Sequence, residues 1–229
     1  IGQCKMNEKR NEIIEKIRRE KLIAILRGLP EDKLIPTVEA IAAGGGTLVE
    51  VTFDHTSGET LDKTRRGIAA LCECFGDRIE IGAGTVLDSN DVLSAKSAGA
   101  SFMISPNTDE NVIKLSRKMG LASIPGAYTP SEVCSAYAWG ADFVKLFPLC
   151  GDPVSYIRAL RAPLCHIPML AVGGICPENL SEVMKTGVLG VGIGSGIASG
   201  REVERFTKES DFAVISERVR LYRKLLSET

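Results

Sequence analysis

Residues 99–148 read "GASFMISPNTDENVIKLSRKMGLASIPGAYTPSEVCSAYAWGADFVKLFP", and one small unit occurs in them three times. Gly99 precedes the apolar run ASFMIS, Gly120 precedes LASIP, and Gly140 precedes ADFVKLF. The spacing is about 20 residues, the size of one strand–helix unit. A glycine just past a helix end takes up the left-handed backbone needed to leave the helix. The stretch between the second and third units also carries a helix start. In TPSE, Thr129 can cap, Pro130 suits the first helical position, and Glu132 completes a capping box.

The unit recurs outside this stretch. Gly44 to Gly46 precede TLVEVTF, and Gly187 precedes VLGVGIG. Filling the gaps places strands at 22–27, 47–54, 79–83, 101–105, 121–125, 141–147, 168–172 and 189–193, with helices between them. CPEN at 176–179 again puts proline at a helix start. Such alternation closes most economically into a TIM (β/α)8 barrel, with an open doubly wound sheet as the second choice. An extra N-terminal helix over 7–20 is expected to plug one end. The closing segment DFAVISERVRLYRKLL has apolar residues at 212, 215, 219, 222 and 226, which is helical spacing. Residues 1–229 are expected to form a single domain, with residues 1–6 disordered or foreign to the natural chain.

Composition narrows the function. Twenty-eight Lys+Arg against 29 Asp+Glu leave a net charge of −1, so no basic field for nucleic acid or anionic lipid exists, and aromatics are only 5%. No apolar run approaches the roughly 18 residues of a membrane span. Seven cysteines with no Cys-x-x-Cys pair are expected as free thiols of a reducing, cytoplasmic compartment. Two histidines, without a His-Glu-x-x-His pattern, make a metal site a poor expectation. His55 is read as a solvated turn residue and His166 as surface. Ser105 and Ser195 have no histidine in pattern, which argues against a hydrolase triad.

A barrel carries its site at the C-terminal ends of its strands. Strand side chains alternate, so Phe143, Lys145 and Phe147 share one face while Val144 and Leu146 share the other. An ammonium is costly on either face unless it is paired or used. On the second strand Leu48, Glu50, Thr52 and Asp54 are expected to point inward, and Val49, Val51 and Phe53 outward. Arg27 closes the first strand and Thr85 of GAGTV reaches the rim. Lys145 could pair with Glu50 as a buried ion pair. Alternatively, burial lowers a lysine pKa and leaves a neutral amine, which attacks a ketone where an ammonium does not. VGG at 172–174 and GIGSG at 192–196 end the last two strands, where barrels bind phosphate through backbone N–H groups. Close packing at tight turns is the alternative use of those glycines.

Taken in order, IAILRG, GGGTLVEVTF, IGAGTVL, FMISPN, SIPGAYTPSE, VKLFP, VGGICPENL and GIGSG resemble the 2-keto-3-deoxy-6-phosphogluconate (KDPG) / 4-hydroxy-2-oxoglutarate (KHG) aldolase family over about residues 18–200. The resemblance implies a class I aldolase on a TIM barrel, a homotrimer, with no metal and no cofactor beyond the covalent Schiff base with substrate. Its lysine falls on Lys145 and its acid/base glutamate on Glu50. Arg27 and Thr85 fall where the pyruvyl carboxylate is gripped, Phe147 where the iminium is shielded, and Gly173, Gly174, Gly194 and Ser195 in the phosphate loops. The implied reaction cleaves a 2-keto-3-deoxy (phospho)sugar acid or 4-hydroxy-2-oxoglutarate into pyruvate and an aldehyde. Three positions depart from the family pattern. Asp54 stands where some members have arginine. Val172 replaces the threonine of many phosphogluconate-cleaving members and resembles the galactonate-type branch. The segment after KLFP reads LCGDPVSY. A phosphosugar isomerase or epimerase with paired acids, or a noncatalytic phospho-ligand binder, are the competing readings.

Overall fold

The computed structural model describes residues 2–76 and 78–229, with side chains from Met6 onward. Nine parallel strands run β1 Leu22–Leu26, β2 Leu48–Thr52, β3 Glu80–Gly84, β4 Phe102–Ile104, β5 Ala122–Ile124, β6 Gly126–Ala127, β7 Val144–Leu146, β8 Met169–Val172 and β9 Gly190–Ile193. Their order is β5-β4-β3-β2-β1-β9-β8-β7-β6, so the first strand pairs with both the second and the last. The helices that follow the strands are α2 Glu31–Ala43, α3 Gly58–Phe75, α4 Ser89–Ser97, α5 Glu110–Lys118, α6 Pro130–Ala138, α7 Pro153–Leu164 and α8 Pro177–Lys185. The four-residue α9 Gly200–Val203 and the long α10 Ala213–Ser227 complete the ring.

The count of nine corrects the expected eight, and the reason is one residue. The fifth strand is split at Pro125, which has no N–H to donate. Its first half pairs with β4 and its second with β7. Across the split, Asp142 N–H donates to the Ser123 carbonyl at 2.9 Å and Lys145 N–H to the Pro125 carbonyl at 2.8 Å. The two outer members of the sheet are thus consecutive in the chain, and the barrel nearly closes on them. Strand β7 is also shorter than the 141–147 expected.

The N-terminal helix α1 spans Gly2–Glu20, so it begins well before residue 7, and residues 2–6 are helical rather than disordered. Ile1 lies outside the described residues. Ile13 and Ile17 of this helix are buried with Ile23, Leu48, Phe102, Ile104, Ala122, Ile124, Phe143 and Leu170. These are the inward residues of the strands, so α1 seals the barrel floor. Val49, Val51, Val144 and Leu146 belong to the second, larger cluster between strands and helices. The alternation expected around Lys145 and Glu50 is therefore present. Fully burying each large apolar side chain contributes about 1.5–3 kcal/mol. The last helix buries Ile215, Val219, Tyr222 and Leu226, the positions its periodicity singles out. Thr129 caps α6 in a reciprocal box with Glu132. Among the described residues no helix is long and apolar enough to cross a membrane.

A charged fork holds the plug. Arg10 on α1 binds Asp142 through two nitrogens, Nε at 3.0 Å from Oδ2, and both side chains are nearly buried. The same Oδ2 accepts the Ser123 N–H at 2.9 Å. The Arg18 guanidinium lies 5.3 Å from the Phe143 ring centroid. Removing one partner of such a pair strands the other's charge. The Arg10→Ala variant is expected to lose about 3 kcal/mol of stability, read from urea-unfolding midpoints. A loss below about 1 kcal/mol, the scale of a surface pair, would show that the fork does not anchor the plug.

Candidate active site

At the C-terminal end of the barrel a cavity of about 370 Å³ opens between β1, β7, β8 and β9. Seven of the nine side chains or glycines expected to act line it: Arg27, Lys145, Phe147, Gly173, Gly174, Gly194 and Ser195. Val172 is part of the same wall. Glu50 and Thr85, on the β2–β3 side, are not.

Lys145 is the middle residue of β7 and only 4% exposed. Its backbone is pinned to Pro125, and its ammonium lies 4.6 Å from the Phe147 ring centroid. It makes no ion pair or side-chain hydrogen bond among the described residues. Burial lowers its pKa, against the attraction of Glu50 and together with the repulsion of Arg27. Glu50 is 1% exposed, and burial raises its pKa against the attraction of Lys145 and Arg27. For both groups desolvation is the largest influence and outweighs the mutual attraction, and no ion pair or hydrogen bond joins them among the described residues. Lys145 and Glu50 are therefore not a closed structural ion pair. Glu50 Oε2 is buried with no hydrogen-bond partner among the described residues.

Room for that carboxyl comes from Gly84, which faces Thr52 across the β2–β3 ladder. A Cβ at Gly84 would stand 1.9 Å from Glu50 Oε1. GAGTV, a weak motif in sequence, thus has a steric purpose: its second glycine is where the Glu50 head sits. The next residue, Thr85, is half-buried and adopts a left-handed backbone with φ 55°. That conformation is rare for a β-branched residue.

The glycines of VGG are packed tightly at a turn and also reach the cavity wall. Gly173 and Gly174 have φ of 97° and 63°, and a Cβ on Gly174 would lie 2.8 Å from the Leu149 carbonyl oxygen. They admit the loop after β7, in which Leu149 is buried and its N–H donates to Val172 O at 3.3 Å. They also border the cavity with Gly194 and Ser195. The N–H groups of Gly174, Gly194 and Ser195 carry no backbone hydrogen bond among the described residues, so an anion could accept from them.

Two expectations need correction. Asp54 does not point into the barrel. Strand β2 ends at Thr52, Phe53 still packs outward in the larger cluster, and beyond it the exposed Asp54 accepts the Thr56 N–H at 2.9 Å. It borders a separate rim cavity with Lys63 and Glu31, so its charge does not face the Lys145 cavity wall. His55 is not simply a solvated turn residue. Its Nε2 lies 2.8 Å from the Thr85 carbonyl oxygen and 3.5 Å from Asp91 Oδ2. No sequence pattern signalled this, because the three residues come from two separate loops and the first turn of α4. His166 is exposed, with its ring edge-on to Tyr137. Among the described residues, no three of His, Cys, Asp and Glu are grouped to hold a metal ion.

Known proteins resemble this chain in sequence and fold. The family model described as KDPG and KHG aldolase matches residues 13–216. A 2-dehydro-3-deoxy-6-phosphogalactonate aldolase of Escherichia coli K12 is 35% identical over 191 residues, covering 82% of this chain and 90% of that protein. A 2-dehydro-3-deoxy-phosphogluconate aldolase of Pseudomonas aeruginosa is 29% identical over 171 residues, with 73% of each chain covered. The solved native KDPGal structure superposes with a TM-score of 0.77 at 31% identity, over 90% of this chain and 94% of that one.

Because Gly84 gives Glu50 its place, a methyl group there should displace the carboxyl without unfolding the barrel. Gly84→Ala is expected to keep its far-ultraviolet circular dichroism and lose turnover about 100-fold, the scale of losing an acid/base group. Turnover within a factor of two of the parent would show that the carboxyl does not act from that position.

Proposed function

The chain belongs to the KDPG and KHG aldolase family, and from that premise we propose how this carbon–carbon lyase works and on what. Its substrate is a 2-keto-3-deoxy-6-phosphosugar acid, cleaved to pyruvate and a phosphorylated aldehyde. The observation that carries this reading is the amine of Lys145: buried, without a counter-ion in contact, and facing a cavity bordered by unpaired backbone N–H groups.

The neutral amine attacks the C2 ketone and forms a carbinolamine. Neutral Glu50 gives its proton to the departing hydroxyl, which leaves as water, and an iminium and a carboxylate remain. That carboxylate takes the C4 hydroxyl proton through a water. The C3–C4 bond breaks, its electron pair flows into the iminium, and the aldehyde departs from the enamine. Glu50 then returns the proton to C3, and water hydrolyses the new iminium to release pyruvate and the neutral amine, the surplus proton passing to the Glu50 carboxylate and restoring its neutral form. Arg27 and Thr85 hold the substrate carboxylate, and the guanidinium fork suits that task. Phe147 covers the iminium. Gly173, Gly174, Gly194 and Ser195 take the phosphate. Covalent catalysis and positioning supply the rate.

Val172 presents an isopropyl group to the cavity, so at this point stereochemistry is read by shape and not by a hydrogen bond. Together with the identity to the phosphogalactonate enzyme, this favours the galactonate-configured substrate over the gluconate form. The 1–229 chain acts as one barrel domain and assembles as a homotrimer. Leu87 and Leu93, exposed beside α4, offer apolar area to a neighbouring copy. A cytoplasmic, reducing setting suits its cysteines, six of which are free among the described residues.

Borohydride reduction in the presence of pyruvate is expected to add one reduced pyruvyl group to Lys145, read by intact mass and peptide mapping. Lys145→Ala should give no adduct, and Glu50→Gln should form it slowly with turnover down about 100-fold. An undiminished adduct in Lys145→Ala would refute the assignment, and a panel of keto-deoxy acids ranks the substrates. The pH dependence follows from the lowered lysine pKa. Raising pH frees the amine, and a depressed pKa completes that change early. The initial rate of trapping should therefore level off below about pH 10.4, the ordinary lysine value. A rate still climbing through that value would show an undepressed amine.

A further inference from the structure

We propose that His55 is a positioning residue that holds Thr85 against the substrate carboxylate. The inference rests on the reading of Thr85 given above. Thr85 is held in a backbone conformation that a β-branched residue does not choose unaided. The groups that follow it in the turn are tied to fixed elements. Val86 N–H donates to the Ile104 carbonyl at 3.2 Å, and Ser105 Oγ donates to the Val86 carbonyl at 2.7 Å. Leu87 N–H donates to Oδ2 of buried Asp91 at 2.8 Å. The Thr85 carbonyl is held instead by a side chain from another loop. His55 Nε2 approaches it to 2.8 Å. A carbonyl only accepts, so Nε2 carries the hydrogen. Asp91 Oδ2, 3.5 Å away, faces the same N–H and favours that proton position.

His55 lies three residues beyond the end of β2, the strand that carries Glu50. It therefore links the loop after Glu50's strand to the turn that presents Thr85. The imidazole Nε2 is already engaged by the Thr85 carbonyl, so its effect is assigned to Thr85 rather than to contact with substrate. The ring is partly exposed and packs 6.3 Å from Phe53. A flat apolar replacement keeps that packing and removes only the donor.

The test compares His55→Phe, His55→Gln, Thr85→Ala and the double variant His55→Phe/Thr85→Ala. Steady-state cleavage of the keto-deoxy acid and pyruvate trapping are measured, with thermal melts as control. His55→Phe is expected to raise KM about tenfold, the scale of one lost hydrogen bond, with kcat changed far less. His55→Gln retains an N–H donor and should recover most of the loss. The double variant should be no worse than Thr85→Ala alone, because a group acting through Thr85 has nothing left to position. Unchanged KM in His55→Phe, or a full independent loss in the double variant, overturns the proposal. If Thr85→Ala raises KM and His55→Phe does not, only the brace fails. If Thr85→Ala itself leaves KM unchanged, the carboxylate role of Thr85 fails, and the brace falls with it. Should His55→Phe not fold, KM for His55→Gln against His55→Leu decides in the same way.

Discussion

An amine that the solvent cannot reach freely is the constraint around which this barrel is organised. Water stabilises an ammonium far better than a protein interior does, so burying Lys145 penalises its charged form. Glu50 pulls the other way, yet the two groups do not close into a contact pair. The same burial that lowers the lysine pKa raises that of the glutamate. Each group is thereby moved toward its uncharged form, against the ordinary preference of a free lysine for charge and of a free carboxyl for ionisation.

Holding that state requires a rigid frame. Strand β7 is secured at the lysine itself by the hydrogen bond to Pro125, and below it by Asp142, which joins Arg10 of the plug to the Ser123 N–H. The split at Pro125 is part of this arrangement. A continuous fifth strand would pair along its whole length with β4. The interrupted one passes its second half to β7 and brings the ring to near closure. The glycines on the other side of the mouth do steric work of a similar kind. Gly84 makes room for the Glu50 head, and Gly173 and Gly174 admit the Leu149 backbone. The cavity is thus lopsided. Its open wall, on β1 and β7 to β9, carries the Arg27 guanidinium and backbone N–H groups without a backbone hydrogen bond among the described residues, while the Glu50 carboxyl approaches from β2.

Much of this was legible in the chain. Apolar periodicity and recurring glycines locate eight of the nine strands to within a few residues and miss only β6, because strand pairing and helix exit impose local demands that particular residues meet. Alternation across Lys145 and Glu50 reads correctly for the same reason: a two-residue period needs no knowledge of the partner strand. The reading fails where the period ends. Asp54 lies two residues past β2, where the backbone turns away and parity no longer says which side a residue faces. Position 125 hides its effect for a related reason, since a proline at a strand end looks like a terminator until the neighbour it releases is known. His55 was unreadable because its partners, Thr85 and Asp91, are 30 and more residues away and form no spacing pattern with it.

By itself, the sequence determined the alternating architecture, the inward face around Glu50 and Lys145, and the family motifs that contain them. Those properties are set by short-range geometry and residue chemistry, both of which are written locally. Only the tertiary structure decided that Lys145 and Glu50 stay unpaired, that Gly84 exists for Glu50's sake, that Asp54 faces away, and that His55 holds Thr85. Each of these depends on distances of a few ångströms between residues far apart in the chain. Solvent exclusion and hydrogen-bond reach act at that scale, and the order of residues does not encode it.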